Sequence, residues 1–146
     1  MTTSERLDVR IIAGLCLMLA LFTVEVPAQI AVIVNKSVNV HSIKANEIYD
    51  IFSLNIKEWP DGTPIVVTTL KGNDATSQSM YAYLGTHLLE MKKIWMRVLL
   101  SGEGKAPATF NTEEEVLAKV ASTPGAIGFV RKEKANGSVR IVAVSQ

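Results

Sequence analysis

The sequence predicts an α/β domain of three layers with a mixed, mainly parallel sheet. The strongest indication is an amphipathic helix over residues 112–123 that turns at Pro124-Gly125 into a short apolar strand over 126–130. A helix that leads tightly into a buried strand is half of an α/β unit. Residues 29–34 are also apolar on both faces, which is typical of a buried strand. The predicted order of elements, β-α-β-α-α-α-β-β, favours one compact domain.

The composition is that of a single globular domain. The chain has 146 residues, of which 48% are apolar, so it can bury a substantial core. Its formal charge is +1, and its Lys and Arg residues do not cluster with interleaved aromatic residues. No nucleic-acid partner is therefore expected.

Residues 1–28 predict an export signal peptide. Arg6 and Arg10 give a positively charged start, and residues 11–24 are apolar and uncharged. That run is shorter than the roughly 20 residues that a helix needs to span a bilayer. Residues 26–28, Val-Pro-Ala, place small residues at the −3 and −1 positions of a cleavage site after residue 28.

Cleavage at this site would leave a periplasmic domain over residues 29–146, without a stable membrane span. The single cysteine, Cys16, lies in the leader, so the mature domain would contain neither a disulfide nor a thiol nucleophile. Glu25 is an unusual neighbour for a cleavage site, and a retained membrane anchor is therefore the alternative interpretation.

The first half of the mature chain predicts two strands and a helix. Residues 29–34 are predicted to form an interior, parallel strand. A polar loop precedes a helix over 42–52, with Ser42 as its cap. The turn sequence Trp-Pro-Asp-Gly at 59–62 then leads into a strand over 65–70.

Two helices are predicted in the middle of the chain. The first covers residues 75–84, with Asp74 or Thr76 as its cap. The second, capped by Thr86, ends where a Gly- and Pro-containing loop over 101–110 begins. The predicted inner face of the second helix is apolar and consists of Leu88, Met91, Ile94, Trp95 and Val98.

The last part of the chain predicts the helix and strand described first, followed by one more strand. Asn111 or Thr112 can cap the helix, and the acidic residues 113–115 are interpreted as a favourable first turn rather than as acid–base groups. Asn136-Gly137 is typical of a hairpin turn, which predicts pairing between the preceding strand and a final strand over 138–144.

Four segments have a distinctive order and spacing: residues 47–52 (EIYDIF), 59–62 (WPDG), Trp95 with 100–107 (LSGEGKAP), and 123–130 (TPGAIGFV). Together they resemble the short relatives of phosphate ABC-transporter substrate-binding proteins, across nearly the whole mature chain. The resemblance implies a periplasmic-binding-protein-like fold. Full proteins of this type have two lobes and bind an oxyanion in the cleft between them, and this chain is long enough for only about one lobe. The resemblance also implies phosphate or a similar oxyanion as the ligand, for transport or sensing.

The best candidate site is the segment 71–78, which follows a predicted strand and opens a predicted helix. Unpaired backbone N–H groups and the helix dipole favour an anion at such a position. The resemblance implies that this segment is the serine- and threonine-containing oxyanion loop. The candidate ligand-binding residues are those of the loop and the first helical turn: Lys71, Gly72, Asn73, Thr76 and Ser77.

Two features of this segment leave a second function open. Short members of the family that this chain resembles often carry an arginine near the start of the helix, where this chain has Ser77 and Gln78, and Asp74 would repel an anion. The segment would then be an ordinary capped helix start. The protein would be a ligand-free structural or partner-binding envelope protein, either a homodimer or docked on another protein, since a single lobe exposes the face that a second lobe would cover.

A second candidate segment is 35–42, after the first predicted strand. Loops at the carboxyl ends of adjacent strands form the usual ligand crevice in open α/β sheets. Lys36 and Ser37 are therefore expected to join the anion site, with Asn39 and Ser42 as further donors. A solvated connector is the alternative.

Other kinds of site find no support in the sequence. Residues 101–105, Ser-Gly-Glu-Gly-Lys, lack the flanking glycine and hydroxyl residue that a phosphate loop requires. His41 and His87 are too few for a metal site, and no Gly-x-Ser-x-Gly motif occurs. We therefore expect neither an enzyme nor a bound metal or cofactor.

Overall fold

The computed structural model describes residues 27–146, so almost all of the predicted leader, 1–28, lies outside the described residues. The described chain forms five strands, four α-helices and one short 3-10 turn. In chain order they are β1 Ile30–Val34, α1 Ala45–Phe52, β2 Val66–Leu70, α2 Ala75–Tyr83, α3 Leu88–Ser101, β3 Ala108–Phe110, α4 Glu113–Ser122, β4 Ala126–Arg131, the 3-10 turn Lys132–Lys134 and β5 Arg140–Val144. No helix within this range combines the length and apolar character needed to cross a membrane.

The five strands form one mixed sheet in the order β3-β2-β4-β1-β5. Strand β2 pairs in parallel with β3 and β4, whereas β1 is antiparallel to both β4 and β5. The prediction that β1 is interior is confirmed, but the prediction that it is parallel is wrong. A run of residues that is apolar on both faces indicates a strand buried between two layers. Because such burial does not depend on the direction of the neighbouring strands, it does not distinguish a parallel strand from an antiparallel one.

Two features of the sheet differ from the sequence-based prediction. Strands β4 and β5 do not form a hairpin, because β1 lies between them in the sheet. Asn136 still organises a local turn, in which its Oδ1 accepts the N–H of Ser138. The segment predicted as a loop over 101–110 contains the edge strand β3, whose three residues are too few to show a periodic pattern.

Helices cover both faces of the sheet, which confirms the three-layer prediction. On one face, the ring of Phe129 in β4 lies 5.9 Å from the rings of both Phe52 in α1 and Tyr81 in α2. On the other face, a Cβ atom at Gly128 would collide with the Thr68 hydroxyl and come within 2.9 Å of Val116 in α4. Gly128 is therefore required for the close approach of α4 to the sheet.

The helix caps agree with the prediction at two helices and differ at two. Asp74 caps α2 and Thr112 caps α4, as expected. Helix α1 begins at Ala45 rather than after Ser42, since its cap is Lys44, which is extended, and Ile43 donates its N–H to the carbonyl of Val142.

The start of α3 is also shifted. His87, not Thr86, is its cap, and its Nδ1 accepts the N–H of Glu90. Thr86 instead closes the preceding helix, since it donates its N–H to the carbonyl of Tyr81. The predicted inner face of α3 is confirmed: four of its members are buried and Ile94 is partly buried against the core.

Candidate functional site

The strands β2, β3 and β4 run in the same direction and end at the same end of the sheet. We call this the β2 end and define it as residues 71–77, 110–115 and 131–134. Helix α2 begins directly after β2, and α4 begins directly after β3, so both helices present their amino ends here. The amino end of a helix carries unpaired N–H groups and a partial positive charge, which together favour anions.

A buried carboxylate, that of Glu113 in α4, lies at the centre of the β2 end. Its Oε1 accepts the backbone N–H of Arg131 at 2.6 Å and the hydroxyl of Thr76 at 3.3 Å. Its Oε2 lies 3.0 Å from Nε of Arg131 and 3.2 Å from Nζ of Lys134. Four donors from three elements therefore surround one carboxylate whose side chain is only 8% exposed.

The protonation of this cluster follows from its contacts. Burial alone would raise the pKa of Glu113, but the N–H groups of Arg131 and the ammonium group of Lys134 more than offset it, and the pKa lies below its ordinary value. The hydrogen bond to Glu114, only partly opposed by burial, raises the pKa of Lys134. At neutral pH the cluster is therefore ionised on both sides.

The residues predicted in the first candidate segment also lie at the β2 end. Lys71, Gly72 and Asn73 are exposed in the loop between β2 and α2. Thr76 is buried and gives its hydroxyl to Glu113. Ser77 is fully buried, and within residues 27–146 its hydroxyl has no hydrogen-bond partner.

The first turn of α2 holds a second carboxylate. Ser77 donates its N–H to Oδ1 of Asp74 at 2.8 Å, so one of the backbone donors that was predicted to bind a ligand is already paired with the helix cap. The side-chain amide of Gln78 donates to the carbonyl of Asn73 and closes the loop on itself. Of the polar side chains in this segment, the buried Ser77 hydroxyl has no partner within residues 27–146, whereas Lys71 and Asn73 are exposed to solvent.

The second candidate segment lies at the opposite end of the sheet, which we call the β1 end and define as residues 35–38 and 121–126. Lys36 is exposed there, and the Ser37 hydroxyl accepts the N–H of Gly125. The expectation that Lys36 and Ser37 share a crevice with residues 71–78 is wrong. Strand β1 is antiparallel to β4, and β4 separates it from β2.

The β1 end has its own buried polar group. Asn35 donates its side-chain amide to the carbonyls of Val120 at 2.8 Å and Ala121 at 3.0 Å, in the last turn of α4. These carbonyls are among the four that a helix leaves unpaired at its carboxyl end. The polar residues of this loop therefore complete the backbone hydrogen bonding of the fold.

The sequence-based interpretation missed the role of Glu113, because it treated all three glutamates as a helix start. Glu115 does form a capping box with Thr112, but Glu113 faces the core. A usable signal was present: Glu113, Val116 and Val120 have the spacing i, i+3, i+7 of one helix face. Arg131 and Lys134 carried no comparable signal, since they meet Glu113 only because α4 packs against β4, a tertiary contact that periodicity along one element does not report.

The remaining side chains give no indication of a metal centre. Within residues 27–146, His, Asp and Glu side chains form no group of three or more that could hold a metal ion. The polar groups that meet at the β2 end are N–H, O–H and cationic donors, together with the carboxylates of Asp74 and Glu113.

Residues 27–143 match a family model described as a PBP superfamily domain. The chain belongs to the PBP superfamily. A search of curated proteins finds no significant match. The PBP superfamily assignment covers nearly all of the described residues, and it includes both ends of the sheet and all of its strands except the last residue of β5.

Solved structures with the same PBP superfamily fold are about twice as long. One is described as a phosphate ABC transporter substrate-binding protein with bound phosphate, from Clostridium perfringens, with a TM-score of 0.65 and 21% identity over 79% of this chain and 45% of that chain. Another is an ABC-type phosphate transport receptor from Vibrio cholerae, with a TM-score of 0.61 and 17% identity over 79% of this chain and 46% of that chain. The chain thus corresponds to a single lobe of these proteins.

Proposed function

We propose that this protein is a single-lobe periplasmic binding module for phosphate or a similar oxyanion, acting in transport or sensing, with its site at the β2 end. The observation that carries the proposal is the first turn of α2, where a fully buried Ser77 hydroxyl without a partner within residues 27–146 lies next to Thr76. The exposed loop before it contributes the charge of Lys71 and the backbone N–H groups of Gly72 and Asn73.

Two further facts support the proposal. Helix α2 starts at the carboxyl end of β2, which is the usual place for ligands in open α/β sheets. The similar structure from Clostridium perfringens is described with bound phosphate. Export to the periplasm is part of the proposal and relies on the charge and apolar pattern of residues 1–28.

The test is a thermal-unfolding titration of the domain over residues 29–146 with inorganic phosphate and, in parallel, sulfate. A ligand that binds only the native state stabilises it by mass action, about 2.7 kcal/mol when its concentration is 100 times Kd. We expect a rise in Tm with millimolar phosphate. The double substitution Thr76→Ala with Ser77→Ala is expected to abolish that rise.

A matched control is Ser37→Ala, which removes a hydroxyl at the β1 end and should leave the phosphate response intact. A response that survives the double substitution would place the site elsewhere on the protein. The absence of any response in the unaltered domain would overturn the proposal for this chain.

The second candidate function, a ligand-free partner-binding module, is favoured by the two carboxylates of Asp74 and Glu113 at the β2 end. It is also favoured by the outer side of α3, where several large apolar side chains are more than half exposed: Leu89, Met96, Leu99 and Leu100. Sedimentation analysis gives the mass in solution. A dimer would support self-association. A monomer would exclude the homodimer, and the second candidate function would then require docking on a different envelope protein.

A further inference from the structure

We propose that the Glu113 carboxylate occupies the oxyanion position of the β2 end and acts as a built-in competitor for an external anion. This inference rests on the proposed function, because it concerns the same site. It explains why Thr76, a predicted ligand-binding residue, has its hydroxyl committed to a carboxylate of the same chain.

The donors around Glu113 are those that bind phosphate oxygens. A backbone N–H, a hydroxyl, a guanidinium N–H and an ammonium group converge on its two oxygens from Thr76, Arg131 and Lys134. Charge-assisted donors of this kind bind carboxylates and phosphates alike, since both ligands present paired anionic oxygens. The cluster thus has the composition of an oxyanion site with an oxyanion already in it.

The cluster is also accessible to a competing ligand. The side chains of Arg131 and Lys134 are 37% and 29% exposed, although Glu113 itself is only 8% exposed. Glu113 is the first residue of α4, directly after the cap Thr112, so no preceding turn of that helix covers its side chain. An external anion can therefore reach the two cations from the solvent side when the carboxylate turns away.

The expected size of the effect follows from the population of the open state. If the carboxylate leaves its donors in at most about 10% of molecules, the apparent Kd for an external anion is weakened about tenfold or more. Truncation of Glu113 to alanine removes the competitor and leaves the other donors in place. We therefore expect Glu113→Ala to bind inorganic phosphate at least about tenfold more tightly than the unaltered domain.

The experiment compares three proteins by isothermal titration calorimetry with inorganic phosphate: the unaltered domain, Glu113→Ala and the control Glu114→Ala. Glu114 is the next residue, is exposed, and contacts Lys134 without contacting Thr76 or Arg131. Its substitution removes the same charge and should leave phosphate affinity within about threefold of the unaltered domain. Acetate provides a second measurement, and it should raise the Tm of Glu113→Ala alone, by replacing the missing carboxylate.

A different result is expected if Glu113 forms only a structural ion pair. If Glu113 only ties α4 to β4, Glu113→Ala will lose stability without gaining affinity for phosphate or acetate, and the inference is overturned. Glu113→Gln serves if the alanine variant does not fold, since its amide fills the space but presents N–H to Arg131. Glu113→Gln should bind phosphate more tightly than the unaltered domain, with a smaller gain than that of Glu113→Ala. Glu114→Gln should show no gain. If Glu113→Gln shows no gain either, the inference is overturned.

The outcome is separable from that of the proposed function. Phosphate binding by the unaltered domain with equal affinity in Glu113→Ala would keep the function and reject the competitor. In another outcome, the unaltered domain does not bind phosphate but Glu113→Ala does, and adding Thr76→Ala to that variant weakens the binding. This result would reject the proposed function for the native chain and keep the inference that Glu113 is a competitor.

Discussion

The two ends of the sheet carry similar polar residues but use them in opposite ways. At the β2 end, a carboxylate is surrounded by N–H, O–H and cationic donors. At the β1 end, the amide of Asn35 donates to two helix carbonyls, and no charged group takes part. The difference follows from helix direction: α2 and α4 begin at the β2 end, whereas α4 finishes at the β1 end. Amino ends of helices need acceptors and carboxyl ends need donors.

The largest effect is expected from neutralising the carboxylate at the β2 end. Glu113→Gln should destabilise the domain by about 2 kcal/mol near pH 7, because it removes the charge that Arg131 and Lys134 compensate. The pKa of Glu113 is depressed from its ordinary value of 4.5, so its stabilising contribution is present above that value. The contribution is lost as the pH falls through the folded-state pKa. The reason is that the carboxyl group of the unfolded chain, with its higher pKa, binds a proton before that of the folded chain does.

Urea unfolding at pH 7 and again well below pH 4 measures this prediction. The gap in stability between the unaltered domain and Glu113→Gln should shrink at the lower pH. A gap that stays constant with pH would mean that the carboxylate charge contributes nothing, and the contrast between the two ends would then disappear.

The sequence predicted the elements of the β2 end better than their chemistry. The Asp74 and Thr112 caps were readable because a cap is a local arrangement of residues three or four positions apart. The cluster around Glu113 joins residues of α2, α4, β4 and the 3-10 turn after β4, and it depends on how these elements pack together. Periodicity reports burial along one element, and it does not report which elements become neighbours.

The predicted position of the loop after β1 was wrong for a related reason. The loop after β1 was placed beside residues 71–78 because the strand was taken to be parallel. Strand β1 instead lies between β4 and β5 and runs against both, so its carboxyl end meets the beginning of β4. Nothing in a run of five buried residues distinguishes these directions, since the residues are fully enclosed in either case.

An intermediate effect is expected at the β1 end from Asn35→Ala. The substitution leaves the carbonyls of Val120 and Ala121 without their side-chain donor, and it should cost about 1–2 kcal/mol in urea unfolding. Asn35→Asp should cost at least as much, because a carboxylate cannot donate and its charge opposes the carboxyl end of α4.

The matched control is Asn39→Ala, an exposed asparagine in the same loop, which should change stability by less than about 0.5 kcal/mol. Unlike Glu113→Gln, the cost of Asn35→Ala should be the same at pH 7 and at low pH, since no titrating group contacts the amide. Equal costs for Asn35→Ala and Asn39→Ala would show that the helix carbonyls find other donors.

The smallest effect is expected from Lys36→Ala, also at the β1 end. Lys36 is exposed, so the substitution should change stability by less than about 0.5 kcal/mol. Strand β2 has five residues, and its two ends are separated by about 13 Å. That distance exceeds the Debye length of about 8 Å at physiological ionic strength, so the charge of Lys36 is screened from an anion at the β2 end. The phosphate response should therefore be unchanged in Lys36→Ala and reduced in Lys71→Ala, and the reverse result would move the anion site to the β1 end.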